Sequence, residues 1–274
     1  MSQIYITNIS SVLLKACDKM KERLIKLGFL SMSLLIWELI AYCSPVFLTY
    51  FSSPSKILTL LVEKVLHGDL LFHISITALE AFSGLIIGTI LGCFLGFLLI
   101  YYPRVSKYSY VYIVALSSIP TFALAPLMII WFGTGISMKI ALAFFSTVFV
   151  CAFQAYEGAK RIDNESSIFF EIYKADKRKK FWMLVFPSSL DWVIQSLKLN
   201  AGFCLLGAFI GEFIASEAGL GYLIVKASGL YDISYVLVCI LCIVFLSLSF
   251  SGLAKFFVKN KLKIIRFMSH KFSK

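Results

Sequence analysis

Ala81–Pro103, AFSGLIIGTILGCFLGFLLIYYP, runs for twenty-three residues without one Asp, Glu, Lys or Arg. That exceeds the roughly 18 residues taken as the mark of a transmembrane helix. Within it Gly84, Gly88, Gly92 and Gly96 recur every fourth residue, so they share one helix face. A face without side chains lets another helix approach its backbone closely, the small-xxx-small device of membrane interfaces. Close packing within the chain is the favoured expectation; a subunit interface is the open alternative.

Working outward, residues 108–138 and 233–254 are equally free of charge, while 140–156 and 199–211 are shorter runs that need their flanks to span. The chain is 59% hydrophobic and 15% charged, against about 25% in a typical soluble domain. Six spans are placed at 28–46, 76–101, 108–132, 137–156, 190–213 and 233–255. The expected fold is therefore an all-α polytopic membrane protein. It divides into an N-terminal segment 1–27, a membrane domain 28–255 interrupted by a charged segment 157–187, and a basic tail 256–274. Basic residues before span one are read as the flank of a retained helix, since no small-x-small cleavage pattern follows Tyr42–Ser44.

The net charge of +11 is explained by topology rather than by nucleic acid. Five Lys/Arg precede span one, Arg104 and Lys107 lie between spans two and three, seven between four and five, and seven from Lys255 onward. Lys56, Lys64 and Lys226 are left for the opposite side. The positive-inside rule then puts both termini in the cytoplasm.

The Pro-containing span three, with Ser117, Ser118, Pro120, Thr121 and Pro126, loses backbone donors at two places. Such breaks are tolerated in a membrane where freed carbonyls meet protein or a water-lined cavity, so these five residues are candidates for a translocation pathway. Simple structural kinks are the alternative. Ser53 and Pro54 are expected to cap and start a short surface helix over 54–66. Glu212, Glu217, Gly219 and Gly221 follow span five and are assigned to an outer gate or a docking surface, with a plain loop as the rival. Glu38 and Glu80 are acids at membrane depth with no evident partner. His67 and His73 are expected at the interface, and Cys239-x-x-Cys242 among the apolar residues of span six. No catalytic, metal or cofactor cluster and no P-loop is visible.

The charged segment Glu157–Pro187 reads as two short helices under the bilayer, the first begun by Asp163 and Glu165 and continued through Ile168, Phe169, Ile172 and Tyr173. Asp176 and the following basic cluster mark the turn, and Pro187 opens span five. Docking to a cytosolic partner is favoured over a purely interfacial anchor.

With these segments in hand, the chain from about Leu48 to Leu262 resembles the permease subunits of bacterial ABC importers, nearest the branch for nitrate, sulfonates, taurine and similar solutes. The resemblance rests on Phe51-Ser-Ser-Pro-Ser-Lys56, Ser118–Gly133, Ile162-Asp-Asn-Glu165, Phe186-Pro187, Glu212 and Glu217-Ala-Gly-Leu-Gly-Tyr-Leu-Ile224. It implies a type I importer fold, a permease homodimer, a cytosolic ABC ATPase dimer that binds ATP, and an external solute-binding protein. It also implies a coupling helix carrying Asp163, Glu165, Ile168, Phe169, Lys174, Ala175, Phe181 and Pro187. The family pattern Glu-x-Ala-x-x-x-Gly falls on Ile168, Phe170 and Lys174, so this chain has neither the acid nor the glycine. A modified interface, an equally divergent ATPase and a weakly active transporter are the readings left open there. An ion-coupled secondary transporter, a membrane-embedded enzyme and a non-transporting assembly subunit are the rival functions.

Overall fold

The structure, a computed structural model, describes residues 2–162 and 164–272, with side chains described over 20–162, 166–189 and 192–254. It is helical throughout. Helix α1 (Ser2–Cys43) leads into α2 (Pro45–Phe51), α3 (Pro54–His67), α4 (Leu70–Tyr101), α5 (Pro103–Ser117) and α6 (Thr121–Phe132). Then follow α7 (Ile136–Lys160), α8 (Asn164–Ile172), α9 (Lys177–Lys180), α10 (Phe186–Ile214), α11 (Leu220–Gly229) and α12 (Ile233–Phe272). A π-helical turn, Phe181–Val185, joins α9 to α10.

Among the described residues five helices are long and apolar enough to cross a membrane: Met20–Cys43, Leu70–Tyr101, Ile136–Lys160, Trp192–Ile214 and Ile233–Ala254. The sixth expected span, 108–132, is not one helix. It is the pair α5 and α6, bent by 93° at Ser118–Pro120. Fifteen and twelve residues at about 1.5 Å each leave either limb short of the roughly 30 Å hydrocarbon core. Pro120 explains the break, because it offers no N–H and keeps Ile119 out of the helical region. Ser118 and Ile119 N–H instead close α5 on Ala115 and Leu116 carbonyls at 3.1 and 3.3 Å. Pro126 lies inside α6 without breaking it.

The core of the bundle is α4 against α7, with α10 packed on both. Gly84 faces Ala143, Gly88 faces Thr147, Gly92 faces Cys151 and the Val148 carbonyl, and Gly96 faces Ala155 and the Ala152 carbonyl. The partners on α7 repeat every fourth residue too, so two small-residue faces meet and the backbones come together. Without a hydrophobic drive between helices in lipid, such van der Waals fit is the main source of association. Gly207 and Gly211 of α10 extend the arrangement: a Cβ on either would lie 2.7–3.2 Å from atoms of Leu142, Ala143 or Lys139.

α11 and α12 close the other side of α10, where Leu220, Leu223, Val238, Cys239 and Cys242 are buried together. Cys239 and Cys242 thus pack in the protein core. Helix α3 starts as expected, with Ser53 Oγ accepting from Lys56 N at 3.3 Å and Pro54 in the first turn. The acid of span one also finds its partner here. Glu38 accepts from Ser55 N at 3.0 Å and from Ser55 Oγ at 2.6 Å, tying α1 to the start of α3.

Leucine at position 92 would drive a side chain into the Val148 carbonyl and Cys151. Gly92→Leu is expected to destabilise the solubilised protein by about 3 kcal/mol or more. Gly202→Leu, at a glycine with open space around it, should leave the melting curve nearly unchanged.

Candidate functional site

Two regions collect the polar and charged side chains of the bundle, one at each end. At the first, helix α11 begins with no cap of its own. A helix N-terminus leaves unsatisfied N–H groups, and within a membrane these must find protein acceptors. Three are supplied from α4 and α10. Gly219 N donates to His73 Nδ1 at 2.9 Å, Leu220 N to Thr77 Oγ1 at 2.9 Å, and Gly221 N to Glu212 Oε2 at 2.7 Å. Thr77 in turn donates to Glu212 Oε1 at 2.6 Å. Behind them Lys139 of α7 pairs with Glu80 of α4 at 3.1 Å, with Glu80 at 0% and Lys139 at 6% exposure.

The glycines of this turn are there for reasons of space. Gly219 has φ +110, and a Cβ on it would strike the Glu212 carboxylate; a Cβ on Gly221 would lie 2.7 Å from Glu212 Cβ and 2.9 Å from the Phe209 carbonyl. Of the four residues assigned to an outer gate or docking surface, Glu212, Gly219 and Gly221 are buried in the single chain and Glu217 is exposed. His73 is likewise buried, against the start of α11. Sequence reasoning missed Thr77, His73 and Lys139. The available signal was Lys139, a cation early in span four, opposite in sign to Glu80 in span two.

At the α5–α6 bend the candidate pathway hydroxyls are largely satisfied locally. Ser117 and Ser118 both donate to the Val114 carbonyl, at 2.8 and 3.0 Å, and Thr121 Oγ1 meets Ser146 Oγ of α7 at 3.0 Å. Ser118, Pro120 and Pro126 are exposed on the single chain. Beside them Phe122, Phe209, Ile210 and Phe213 line an apolar recess of about 200 Å³.

At the opposite end, α8 and α9 project from the bundle as two short limbs. Asp163 lies outside the described residues, as does the side chain of Glu165. Helix α8 ends in a Schellman motif: Ala175 N bonds to Phe170 O and Lys174 N to Glu171 O, each at 3.0 Å. That motif needs a left-handed residue at its turn, usually glycine, and Lys174 occupies it with φ +45. The turn that the family pattern assigns to glycine is therefore formed here by lysine. A Lys180–Glu171 pair at 2.9 Å ties the second limb to the first. Ile168, Phe169, Ile172 and Tyr173 are more than half exposed and offer an apolar face.

The second limb returns to the membrane with Pro187 opening the span, as expected, although it is continuous with that span rather than a helix apart. It runs through the π turn into α10, with Pro187 in the first turn. A proline there leaves one carbonyl of the preceding turn without its usual donor, which suits a π-helical turn. Phe181 packs edge-on against Phe97 and Tyr101 of α4, and Phe186 against Phe97. With Arg178 and Trp182 they border a cavity of about 410 Å³. Lys160 lies over the Tyr110 and Tyr156 rings and Arg161 over Trp192, so these two cations are held on the bundle.

Residues 84–263 match the family described as binding-protein-dependent transport system inner membrane component, and the chain belongs to that family. A formylaminopyrimidine transport permease protein, ThiX, of Halalkalibacterium halodurans is 32% identical over 71% of this chain and 77% of its own length. A probable ABC transporter permease protein of Haemophilus influenzae is 27% identical over 84% and 93%. A putative aliphatic sulfonates transport permease protein, SsuC, of Bacillus subtilis is 26% identical over 70% of each. Among solved structures, a chain of the MetNI methionine ABC transporter superposes with TM-score 0.60 at 15% identity, covering 73% of this chain and 95% of that one. The fold is thus that of a type I ABC importer permease, a multi-pass inner-membrane protein with a transport role.

Two substitutions probe the two ends. Gly219→Ala combines a strained φ with a collision at Glu212 and should cost about 3 kcal/mol, read as a lowered melting temperature. Lys174→Gly relieves a left-handed lysine and should stabilise the α8–α9 turn by about 1 kcal/mol. Amide exchange at Ala175 would then slow about fivefold.

Proposed function

We propose that this chain, as one of two identical copies, lines the membrane pathway of an ATP-driven importer for a small polar solute delivered by an external binding protein. The solute class is a sulfonate, a nitrate-like anion or a thiamine-precursor-like pyrimidine; the 32% identical relative named for formylaminopyrimidine makes the pyrimidine the first to test. By the charge bias of the loops, α8 and α9 lie in the cytosol and α3 and α11 face outward.

One observation carries the reading. The α8–α9 hairpin presents an exposed apolar face, Ile168, Phe169, Ile172 and Tyr173, on a turn closed by backbone hydrogen bonds despite the missing glycine. An apolar helix face of this kind, rimmed by Lys177–Lys180, suits a groove on a cytosolic ATPase subunit. ATP is bound and hydrolysed by that partner. Closure of its dimer would move the hairpins, and the helices behind them would shift between inward- and outward-open populations. Lys174, Ala175, Phe181 and Pro187 support the hairpin or its return to the membrane, and the sequence alone adds Asp163 and Glu165 to the coupling residues. Ser117, Ser118, Pro120, Thr121 and Pro126 border the pathway at the α5–α6 bend, where a broken helix exposes backbone to a passing solute.

The test is co-purification of the tagged chain from gently solubilised membranes, with ATP hydrolysis measured on what co-elutes. An ATPase subunit that is recovered with the intact chain and lost on deletion of 165–180 is the expected result. The reconstituted complex, supplied with its binding protein, should then take up one solute of the three classes. A folded chain that reproducibly purifies without any ATPase would overturn the proposal in favour of an ion-coupled carrier or an assembly subunit.

A further inference from the structure

Glu80 is the one buried acid whose place the capping of α11 does not explain. It is 0% exposed, its Oε1 lies 3.1 Å from Lys139 Nζ, and as a carboxylate neither of its oxygens receives a hydrogen bond. Its carboxyl also lies beside that of Glu212, close enough for the two side chains to interact directly. Two carboxylates and one ammonium would leave a net negative charge among fully buried helices. A buried charge without compensation is among the costliest features a protein can hold.

The hydrogen bonds around the pair show where the charge sits. Glu212 accepts from the Thr77 hydroxyl and from Gly221 N–H, so both of its oxygens are engaged as acceptors. Glu80 accepts from no such donor, and two carboxyl groups in contact share a hydrogen bond only when one of them carries a proton. His73 does not supply the missing charge. Its Nδ1 accepts from Gly219 N–H, which makes the imidazole neutral with its proton on Nε2. Asp69 and Lys226 face His73 from the end of the bundle, opposite in sign to one another.

We propose that Glu80 is a proton-binding site: it holds a proton on one oxygen and donates it to Glu212, while Lys139 Nζ stands 3.1 Å from its Oε1. Glu212 then carries the single negative charge, Lys139 the single positive one, and the buried set is neutral. The proton is part of the device that seats α11. Glu212 is held in place from behind by Glu80, and from the front it receives the first turn of α11 through Gly221. Release of the proton would set two carboxylates against each other directly beneath that turn and loosen α11 from α4 and α10.

The assignment separates Glu80 from its neighbours by experiment. Infrared spectra of the lipid-reconstituted wild-type protein at neutral pH should contain a protonated-carboxyl carbonyl stretch that Glu80→Gln removes. Glutamine mimics the neutral acid, since its amide can donate to Glu212 and its carbonyl accept from Lys139. The Glu80→Gln protein should therefore melt within about 2 °C of wild type. Lys139→Met, which strands the Glu212 charge, should lower melting by about 6 °C or more. If Glu80 were an ordinary carboxylate paired with Lys139, wild type and Glu80→Gln would show the same carboxyl band. Glu80→Gln would also be as destabilised as Lys139→Met, or fail to fold. Either result overturns the proposal, and the wild-type spectrum decides the matter even where a variant cannot be purified.

Discussion

The close approach of α4 to α7 is the constraint from which the rest of this bundle follows. Four glycines on one helix meet Ala143, Thr147, Cys151 and Ala155 on the other at the same four-residue interval, so the two helices cannot slide by a residue without losing every contact. In lipid, where apolar surface gains little by leaving its surroundings, this fit and the few interhelical hydrogen bonds supply what water supplies to a soluble core. The axial alignment has a chemical consequence. It sets Lys139, near the start of α7, at the depth of Glu80 in α4, and so brings a buried ammonium to the buried acids. Gly207 and Gly211 then bring α10 onto the same face of α7, and Glu212, one residue beyond Gly211, is delivered to Thr77.

That chain of dependence explains why a surface-looking loop motif turns inward. A segment reading Glu-Ala-Gly-Leu-Gly-Tyr after a membrane span has the composition of a flexible external turn. Its three successive N–H groups lie at a helix start beside the membrane core, where they need acceptors from protein rather than water. His73, Thr77 and Glu212 provide them, and only glycine at 219 leaves room for the carboxylate that does so. The motif is better understood as a receptor for a buried acid than as a hinge.

What the sequence made legible were features that depend on neighbours in the chain. Uncharged runs located five of the apolar segments, the Ser53–Pro54 pair marked the start of α3, and the glycine period identified the face of α4 that packs. What was hidden depends on pairs far apart. Glu80 and Lys139 are fifty-nine positions from one another, and Glu38 finds Ser55 only because α1 and α3 fold back together. Span three stood between these cases. Pro120 announced an interruption, but whether a proline kinks a helix or turns it by 93° is settled by what the two limbs pack against, and Pro126 six residues later leaves α6 intact.

The same distinction bears on the α8–α9 hairpin, where the residue pattern departs from the family's. Judged by identity, replacing the turn glycine by Lys174 removes the feature that makes the turn possible. Judged by backbone hydrogen bonds, the turn is whole: both Schellman bonds are present and the lysine takes the left-handed conformation. The strain of a left-handed lysine, about 1–2 kcal/mol, is of the size that two such bonds and the Lys180–Glu171 pair can offset together. Selection on a coupling element acts on where its apolar face points, and that direction is set by the path of the backbone. A chain can therefore lose the residues by which a motif is recognised and keep the geometry for which the motif exists.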